Sequence, residues 1–265
     1  MIASDLDGTL LRSDSTISAR TAAAVASSEE AGVPFVFVTG RPPRWMDVIA
    51  ELTGHHGVAI CANGAIVYDL HTQTVVHEHT MDPATALRLV QELRVAMPDV
   101  VFACERGLQF SHEPAFVPRI EIPDTSVAEM EELLATPVVK LLVRHAEKTA
   151  PELYAAAQEL FSEFAGLATF TYGTSTLMGG LLEISGPGIT KAFSLERMAD
   201  GQGIDRTSVV AFGDMPNDLP MLAWAGTGVA VANAHPEVLA MADEVTASND
   251  NDGVAVVVER LLAEA

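Results

Sequence analysis

Short apolar runs that stop at small polar residues, separated by longer stretches of helical composition, set the pattern of this chain. Met1-Ile2-Ala3 leads into Ser4-Asp5-Leu6-Asp7-Gly8-Thr9, which reads as a buried strand breaking into a tight turn. Residues 18–32 are alanine-rich, with Ser18 placed as an N-cap and Gly32 as a stop, and predict a helix. Residues 33–38 are apolar on both faces and close on Thr39-Gly40-Arg41-Pro42, as a central parallel strand covered from both sides does. A second helix is expected over 43–52, a third strand over Val58–Cys61 and a hairpin-like return over Ile66–Asp69. Strand, helix, strand, helix, strand opens a doubly wound α/β fold.

The rhythm changes between about Met81 and Gly186. Helical stretches over 83–97, 127–134 and 151–164 alternate with strand-like pieces over 100–104, 108–111, 138–144, 168–172 and 181–184. Several of these pieces alternate apolar with polar residues, which predicts half-exposed antiparallel strands. The first rhythm then resumes: a helix over 190–201, a strand over 208–212, an apolar helix through Met221 and Leu222, short strands over 229–231 and 244–247, and a last helix over 253–263. The expected fold is α/β, a doubly wound, mostly parallel (Rossmann-like) core sheet with an inserted α+β cap. Residues 1–82 and 187–265 form the core, and 83–186 the cap.

Composition narrows the functions open to such a chain. With 36 acidic against 15 basic residues, and a formal charge of −21, a face gripping nucleic acid or anionic lipid is not expected, since either needs clustered Lys and Arg. Two cysteines, Cys61 and Cys104, show no metal-ligand spacing and read as thiols of a cytosolic protein. A strand beginning at Ile2 leaves no room for a signal peptide before the first motif, and no apolar run approaches the ~20 residues of a membrane helix. A cytoplasmic protein is the expectation. Oligomeric state is not legible.

The remaining polar residues fall at the ends of predicted strands. Asp5 and Asp7 close the first, Thr39 the second, and Asp214 the one ending near Phe212, while Lys191 opens the helix before it. In an open parallel sheet such ends emerge on one edge, where ligands bind near the reversal of strand order. Four carboxylates there (Asp5, Asp7, Asp214, Asp218) would repel by roughly 4 kcal/mol per pair at 4 Å, even at an effective dielectric of 20. A cation is therefore expected. Ligands that are all oxygen select a hard ion, and Mg²⁺ is the usual choice where phosphate supplies further oxygens. Lys191 and Thr39 would hold that phosphate.

Asp-x-Asp-Gly-Thr at 5–9, Thr-Gly-Arg at 39–41, Lys191 and Gly-Asp-x-x-Asn-Asp at 213–218 resemble the haloacid dehalogenase superfamily. Asn63-Gly64-Ala65 and the large late insertion resemble its Cof-type branch, subfamily IIB. The resemblance covers essentially the whole chain, without departure at the four core motifs. It implies that Asp5 is a nucleophile forming an aspartyl-phosphate, and that Asp7 is the general acid/base, with its backbone carbonyl on Mg²⁺. Asp214 and Asp218 would ligate the metal, and Thr39 and Lys191 would bind the phosphoryl group. Gly40, Arg41 and Asn217 join the substrate-binding set, Asn217 by ordering the acidic loop through bonds to its neighbours. A halide leaving group would need no proton, so Asp7 argues against dehalogenation and for a phosphatase. The cap would close over the crevice, exclude water and contribute selectivity for a small phosphorylated metabolite. A sugar-phosphate phosphomutase and a receiver-like phosphate-sensing module stay open as other readings. His55-His56, His77 and His79 read as surface histidines, Met178-Gly179-Gly180 as a turn, and Arg119, Lys140 and Arg144 as guesses at cap residues facing the crevice.

Overall fold

The computed structural model describes residues 1–54, 57–162, 166–173 and 181–264. Two compact units result, Met1–His77 with Thr190–Ala265, and Glu78–Ile189. The chain thus leaves the first unit once and returns to it.

The first unit is built on β1 (Ile2–Asp5), α1 (Ala19–Glu30), β2 (Phe35–Val38), α2 (Asp47–Leu52), β3 (Val58–Cys61), β4 (Ile66–Asp69) and β5 (Thr74–Glu78). Its sheet is completed from the returning segment. Among the described residues it has eight strands, and its order reverses beside β1: β2 and β3 extend it on one side, the late strands on the other. β1 pairs in parallel with β2 and with a late strand, Ile2 lying between Phe35 and Val210. β3 and β4 are antiparallel, so the run closes on a hairpin. β1 and β2 are buried over their full length, which is why β2 reads as a continuous apolar run and β1 starts as one before ending on the buried polar pair Ser4 and Asp5. Ser18 caps α1 by accepting from the Thr21 amide.

The β3 exit is the tightest corner of this unit. Ala62, Asn63 and Gly64 all have positive φ, at 52°, 55° and 104°. A Cβ at Gly64 would run into the carbonyl of Thr190, so glycine there lets the corner lie against the start of a later helix.

The second unit contains α3 (Pro83–Ala96), β6 (Val100–Arg106), β7 (Gln109–His112), β8 (Ser126–Val127), α4 (Met130–Leu133), β9 (Lys140–His145), α5 (Ala150–Leu160), β10 (Thr169–Gly173) and β11 (Leu181–Ser185). Its sheet order is β10-β11-β9-β6-β7-β8, antiparallel apart from the β7–β8 pair. Leu89 and Leu93 of α3 and Leu153 of α5 pack on Phe102, Leu141, Val143 and Ile184 of the sheet. Two expectations differ here. The helix expected over 127–134 is instead the last residue of the short strand β8 followed by the single turn of α4, which buries Met130 and Leu133 and is too short to continue the helical period. Exposure divides the strands: β7 and β10 are half-exposed as expected, whereas β6, β9 and β11 are largely buried, with Lys140 1% and Glu105 2% exposed. On these strands even charged side chains are buried, the Lys140 ammonium lying 3.3 Å from Glu105 and 3.5 Å from Glu183.

The returning segment contributes α6 (Lys191–Gly201), β12 (Val210–Gly213), α7 (Leu219–Trp224), β13 (Thr227–Ala230), α8 (Pro236–Met241), β14 (Glu244–Val245) and α9 (Gly253–Glu264). β12, β13 and β14 continue the parallel sheet, α9 packs on α1, and α6 packs on α7. No helix of the described residues is long and apolar enough to cross a membrane.

Phe102 is fully buried in the second unit's core. Phe102→Ala should cost about 3–5 kcal/mol, read as a lower urea midpoint in circular dichroism. A midpoint equal to the parent's would show that the ring is not packed as described.

Candidate active site

β1 ends at Asp5, and the turn after it is shaped by Gly8, at φ +84°. A Cβ at Gly8 would collide with the Asp214 carboxylate, so the glycine lets the first turn close onto the loop after β12. Two hydrogen bonds fix this approach. The Thr9 hydroxyl donates to Asp214 Oδ1 at 3.0 Å, and the Asn233 amide donates to the Gly8 carbonyl at 2.8 Å.

β12 ends at Gly213, Asp214 follows it directly, and Asp218 closes the short helical turn Pro216–Asp218. Asp218 Oδ2 accepts from the amides of Asp214 (3.1 Å) and Met215 (3.0 Å). One carboxylate oxygen thereby orders the loop while the other is presented inward. Thr190 caps α6 by accepting from the Phe193 amide, which makes Lys191 the first residue of the helix. Lys191 Nζ donates to Asp5 Oδ1 at 2.5 Å and to Asp218 Oδ1 at 2.6 Å. All four side chains are buried, with Lys191 2% and Asp218 0% exposed.

One carboxylate oxygen from each of Asp5, Asp214 and Asp218 lies within 4.8 Å of the others, a group that could hold a metal ion. Three carboxylates and one ammonium leave a formal excess of two negative charges, which suits a hard divalent cation with oxygen ligands. The electrostatics carry the same message. Burial, opposed by Lys191 and reinforced by Asp218, raises the Asp5 carboxyl well above the ordinary range. Asp214 is pushed up to about 7, by burial and then by Asp218. Burial works against the charge on Lys191, but Asp218 and Asp5 together outweigh it and raise its proton affinity.

Asp7 departs from the expected group of four. The strand ends at Asp5, so the two-residue alternation that would aim Asp5 and Asp7 alike does not extend to Asp7. Its carboxylate, 50% exposed, is held by Arg41 through two bonds, Nε to Oδ2 at 2.7 Å and Nη2 to Oδ1 at 2.5 Å. Thr39 is buried after β2, and its hydroxyl accepts from the Arg41 amide at 3.0 Å. Gly40 packs against the Asn63 side chain. Asn217 also differs from expectation: rather than bonding only within its own loop, it donates to Asn63 Oδ1 at 3.1 Å and ties the β12 loop to the β3 corner.

The side chains that sequence reasoning missed are Thr9, Asn63 as an acceptor, and Asn233. Thr9 stood within Asp-Gly-Thr and could have been found by asking what a threonine after a positive-φ glycine would meet. Asn233 gave no local signal. His77 is exposed on β5 and His79 is half-buried. Lys140 is spent on its two glutamates, and Arg144 lies over the Phe116 ring and donates to the Val117 carbonyl. His55-His56 and Met178-Gly179-Gly180 lie outside the described residues.

Comparison with known proteins shows the family. The family model for haloacid dehalogenase-like hydrolase matches residues 2–258. Pyridoxal phosphate phosphatase YbhA of Escherichia coli (strain K12) is 30% identical over 268 residues, spanning 96% of each chain. The 5-amino-6-(5-phospho-D-ribitylamino)uracil phosphatase YitU of Bacillus subtilis (strain 168) is 28% identical over 260 residues, covering 96% of this chain and 94% of that one. A solved phosphatase of the haloalkanoate (HAD) enzyme superfamily from Bacteroides thetaiotaomicron superposes with a TM-score of 0.79 at 25% identity, over 98% of this chain and 93% of that one. The chain belongs to the haloacid dehalogenase-like hydrolases, in their Cof-type branch, and is a phosphoric monoester hydrolase.

Proposed function

We propose that the protein is a Mg²⁺-dependent phosphatase of small phosphorylated metabolites, working through an aspartyl-phosphate on Asp5. The observation that carries this reading is the buried group of Asp5, Asp214 and Asp218 around Lys191, with Asp7 beside it at the solvent side. Asp5, Asp214 and Asp218 would hold the ion with the Asp7 carbonyl. Bound there, the ion would offset charge between an anionic nucleophile and an anionic phosphoryl group. An ammonium has three hydrogens, and Lys191 gives two of them to Asp5 and Asp218. The third would meet a phosphoryl oxygen. The Thr39 hydroxyl accepts from Arg41 and keeps its own hydrogen for the same group. Gly40, next to it, would line that subsite, and Asn217 would border it by tying the β12 loop to Asn63.

In the first half-reaction an Asp5 oxygen attacks phosphorus, the bond to the ester oxygen breaks, and Asp7 gives that oxygen a proton. In the second, the Asp7 carboxylate takes a proton from water as the water oxygen attacks phosphorus and the Asp5–phosphorus bond breaks. YbhA and YitU are named for phosphate monoesters of small metabolites, and the substrate class is inferred on that basis. The second unit, Glu78–Ile189, is the cap in this reading and would select among such esters.

Asp5→Asn should abolish phosphate release from p-nitrophenyl phosphate and from a panel of metabolite phosphates, with a loss of about 10⁴-fold or more. Activity equal to the parent's would remove the proposed nucleophile. Free phosphate as the product marks hydrolysis, and an isomerised hexose phosphate marks a mutase instead.

The raised carboxyls make a second prediction. A carboxyl whose proton affinity is higher in the folded state contributes stability fully present below its unfolded value and lost as pH rises through its folded value. For Asp214 that loss is complete above about 7. In chelator, the thermal midpoint should therefore carry a declining contribution from about pH 4 to about pH 7, absent in Asp214→Asn. Mg²⁺ competes with those protons, so millimolar MgCl₂ should raise the midpoint more at about pH 8 than at about pH 5. Equal shifts at both would separate the ion from this carboxylate group.

A further inference from the structure

Arg41 has been grouped so far with the residues that meet the substrate. Its surroundings give it another task. The backbone of Arg41 is anchored at both peptide groups: its amide donates to Thr39 Oγ1 at 3.0 Å, and its carbonyl accepts from the Ala62 amide at 2.9 Å. The side chain is 14% exposed, and its guanidinium is engaged edge-on with both oxygens of Asp7, which is itself 50% exposed. A planar guanidinium gripping a carboxylate at two points fixes the position and the plane of that carboxylate together. Asp7 lies two residues beyond β1, in an isolated bridge with Leu11, so no strand carries the direction of its side chain on from Asp5. The anchored partner of this pair is Arg41, and the positioned one is Asp7.

We propose that Arg41 is a positioning residue for the Asp7 carboxylate and not a ligand of the transferring phosphoryl group. The inference rests on the reading of Asp7 as general acid/base given above. In that cycle Asp7 is anionic once it has protonated the leaving oxygen, and it must then take a proton from water. The Arg41 fork holds the carboxylate in place through that interval, so the water it activates is aimed at phosphorus. The bonds made and broken are those of the cycle above, and Arg41 exchanges no proton.

The test uses the full-length protein, with p-nitrophenyl phosphate as substrate and inorganic phosphate as competitive inhibitor. Arg41→Gln removes the charge and the fork, and Arg41→Lys keeps the charge but not the two-point grip. Both should lower kcat, by about 10- to 100-fold for Arg41→Gln and less for Arg41→Lys. The Ki of inorganic phosphate should stay within about twofold of the parent's, as uniform binding is untouched. The decisive arm is a double-mutant cycle. Placed in an Asp7→Asn background, Arg41→Gln should cost little further activity, because the group it positions has already been disabled. A rise of about tenfold or more in phosphate Ki with kcat retained would overturn the proposal and return Arg41 to the substrate. So would an undiminished loss in the Asp7→Asn background. Unchanged urea midpoints of the single variants confirm that the comparison is between folded proteins; if Arg41→Gln fails to fold, Arg41→Lys carries the same two readouts. Failure of the mechanism itself is distinguishable, since it would appear as activity in Asp5→Asn whatever Arg41 does.

Discussion

Three buried carboxylates and one buried ammonium set the terms for the rest of the first unit. At separations near 4 Å, each carboxylate pair costs roughly 4 kcal/mol at an effective dielectric of 20. Three such pairs rival the ~5–15 kcal/mol that holds a whole domain together. Lys191, bonded to Asp5 and Asp218 at once, offsets most of this. Leaving a buried charge without its partner costs about 3–5 kcal/mol in comparable settings. Burial, and after it the charge of Asp218, pushes the Asp214 carboxyl up to about 7, so protonation relieves part of the residual charge. A site that must lose a proton or gain a cation as pH rises is already poised to take up a divalent ion.

That arrangement is possible only because of the sheet's connectivity. Thr9 and Asp214 are 205 residues apart in sequence, and Lys191 and Asp5 are 186 apart, yet both pairs are in hydrogen-bond contact. β1 lies between β2 and β12 in parallel register, so the exits of all three strands share one edge at the reversal of strand order. The close approach then depends on small residues in the exit loops. Gly8 admits the Asp214 carboxylate, and Gly64 admits the Thr190 carbonyl at the start of the helix that carries Lys191.

What could be read from the sequence follows from the range of each signal. The strands β2, β3 and β12 were legible because burial on both faces leaves an unbroken apolar run, and β1 because its apolar start breaks sharply at the Asp-x-Asp-Gly-Thr turn. β5 was not, because Thr74-Val75-Val76-His77-Glu78 is an exposed edge strand with no buried face to impose alternation. α8 escaped notice because six residues are too few to establish a helical period. At the site, residue types named the chemistry and topology named the edge. Side-chain direction was another matter. The turn at Gly8 decides where Asp7 points, and nothing in the spacing of two aspartates records that turn. Nor does spacing reveal that Asn217 reaches to Asn63, a contact between loops 154 residues apart.

The unequal burial of the two N-terminal aspartates fits the unequal tasks proposed for them. Asp5 is 5% exposed, beside Lys191 and away from bulk water, where a carboxylate keeps its nucleophilic oxygen unsolvated. Asp7 is half-exposed, its carboxylate tied by a guanidinium at the solvent side. An acid/base that gives its proton to a leaving group and takes another from the attacking water has to reach both, and burial equal to that of Asp5 would close it off from them. Exposure alone, however, would leave the carboxylate free to rotate away from the reacting atoms. An ion pair with two points of contact resolves the conflict, because it restrains the plane of the group without removing it from solvent. With its Asp7 end half-exposed the pair's Coulomb gain is screened by solvent, although a two-point grip by a largely covered guanidinium is the geometry in which such a pair can still add to stability. The position of Arg41 is better explained by where it puts Asp7 than by any gain in the stability of the fold.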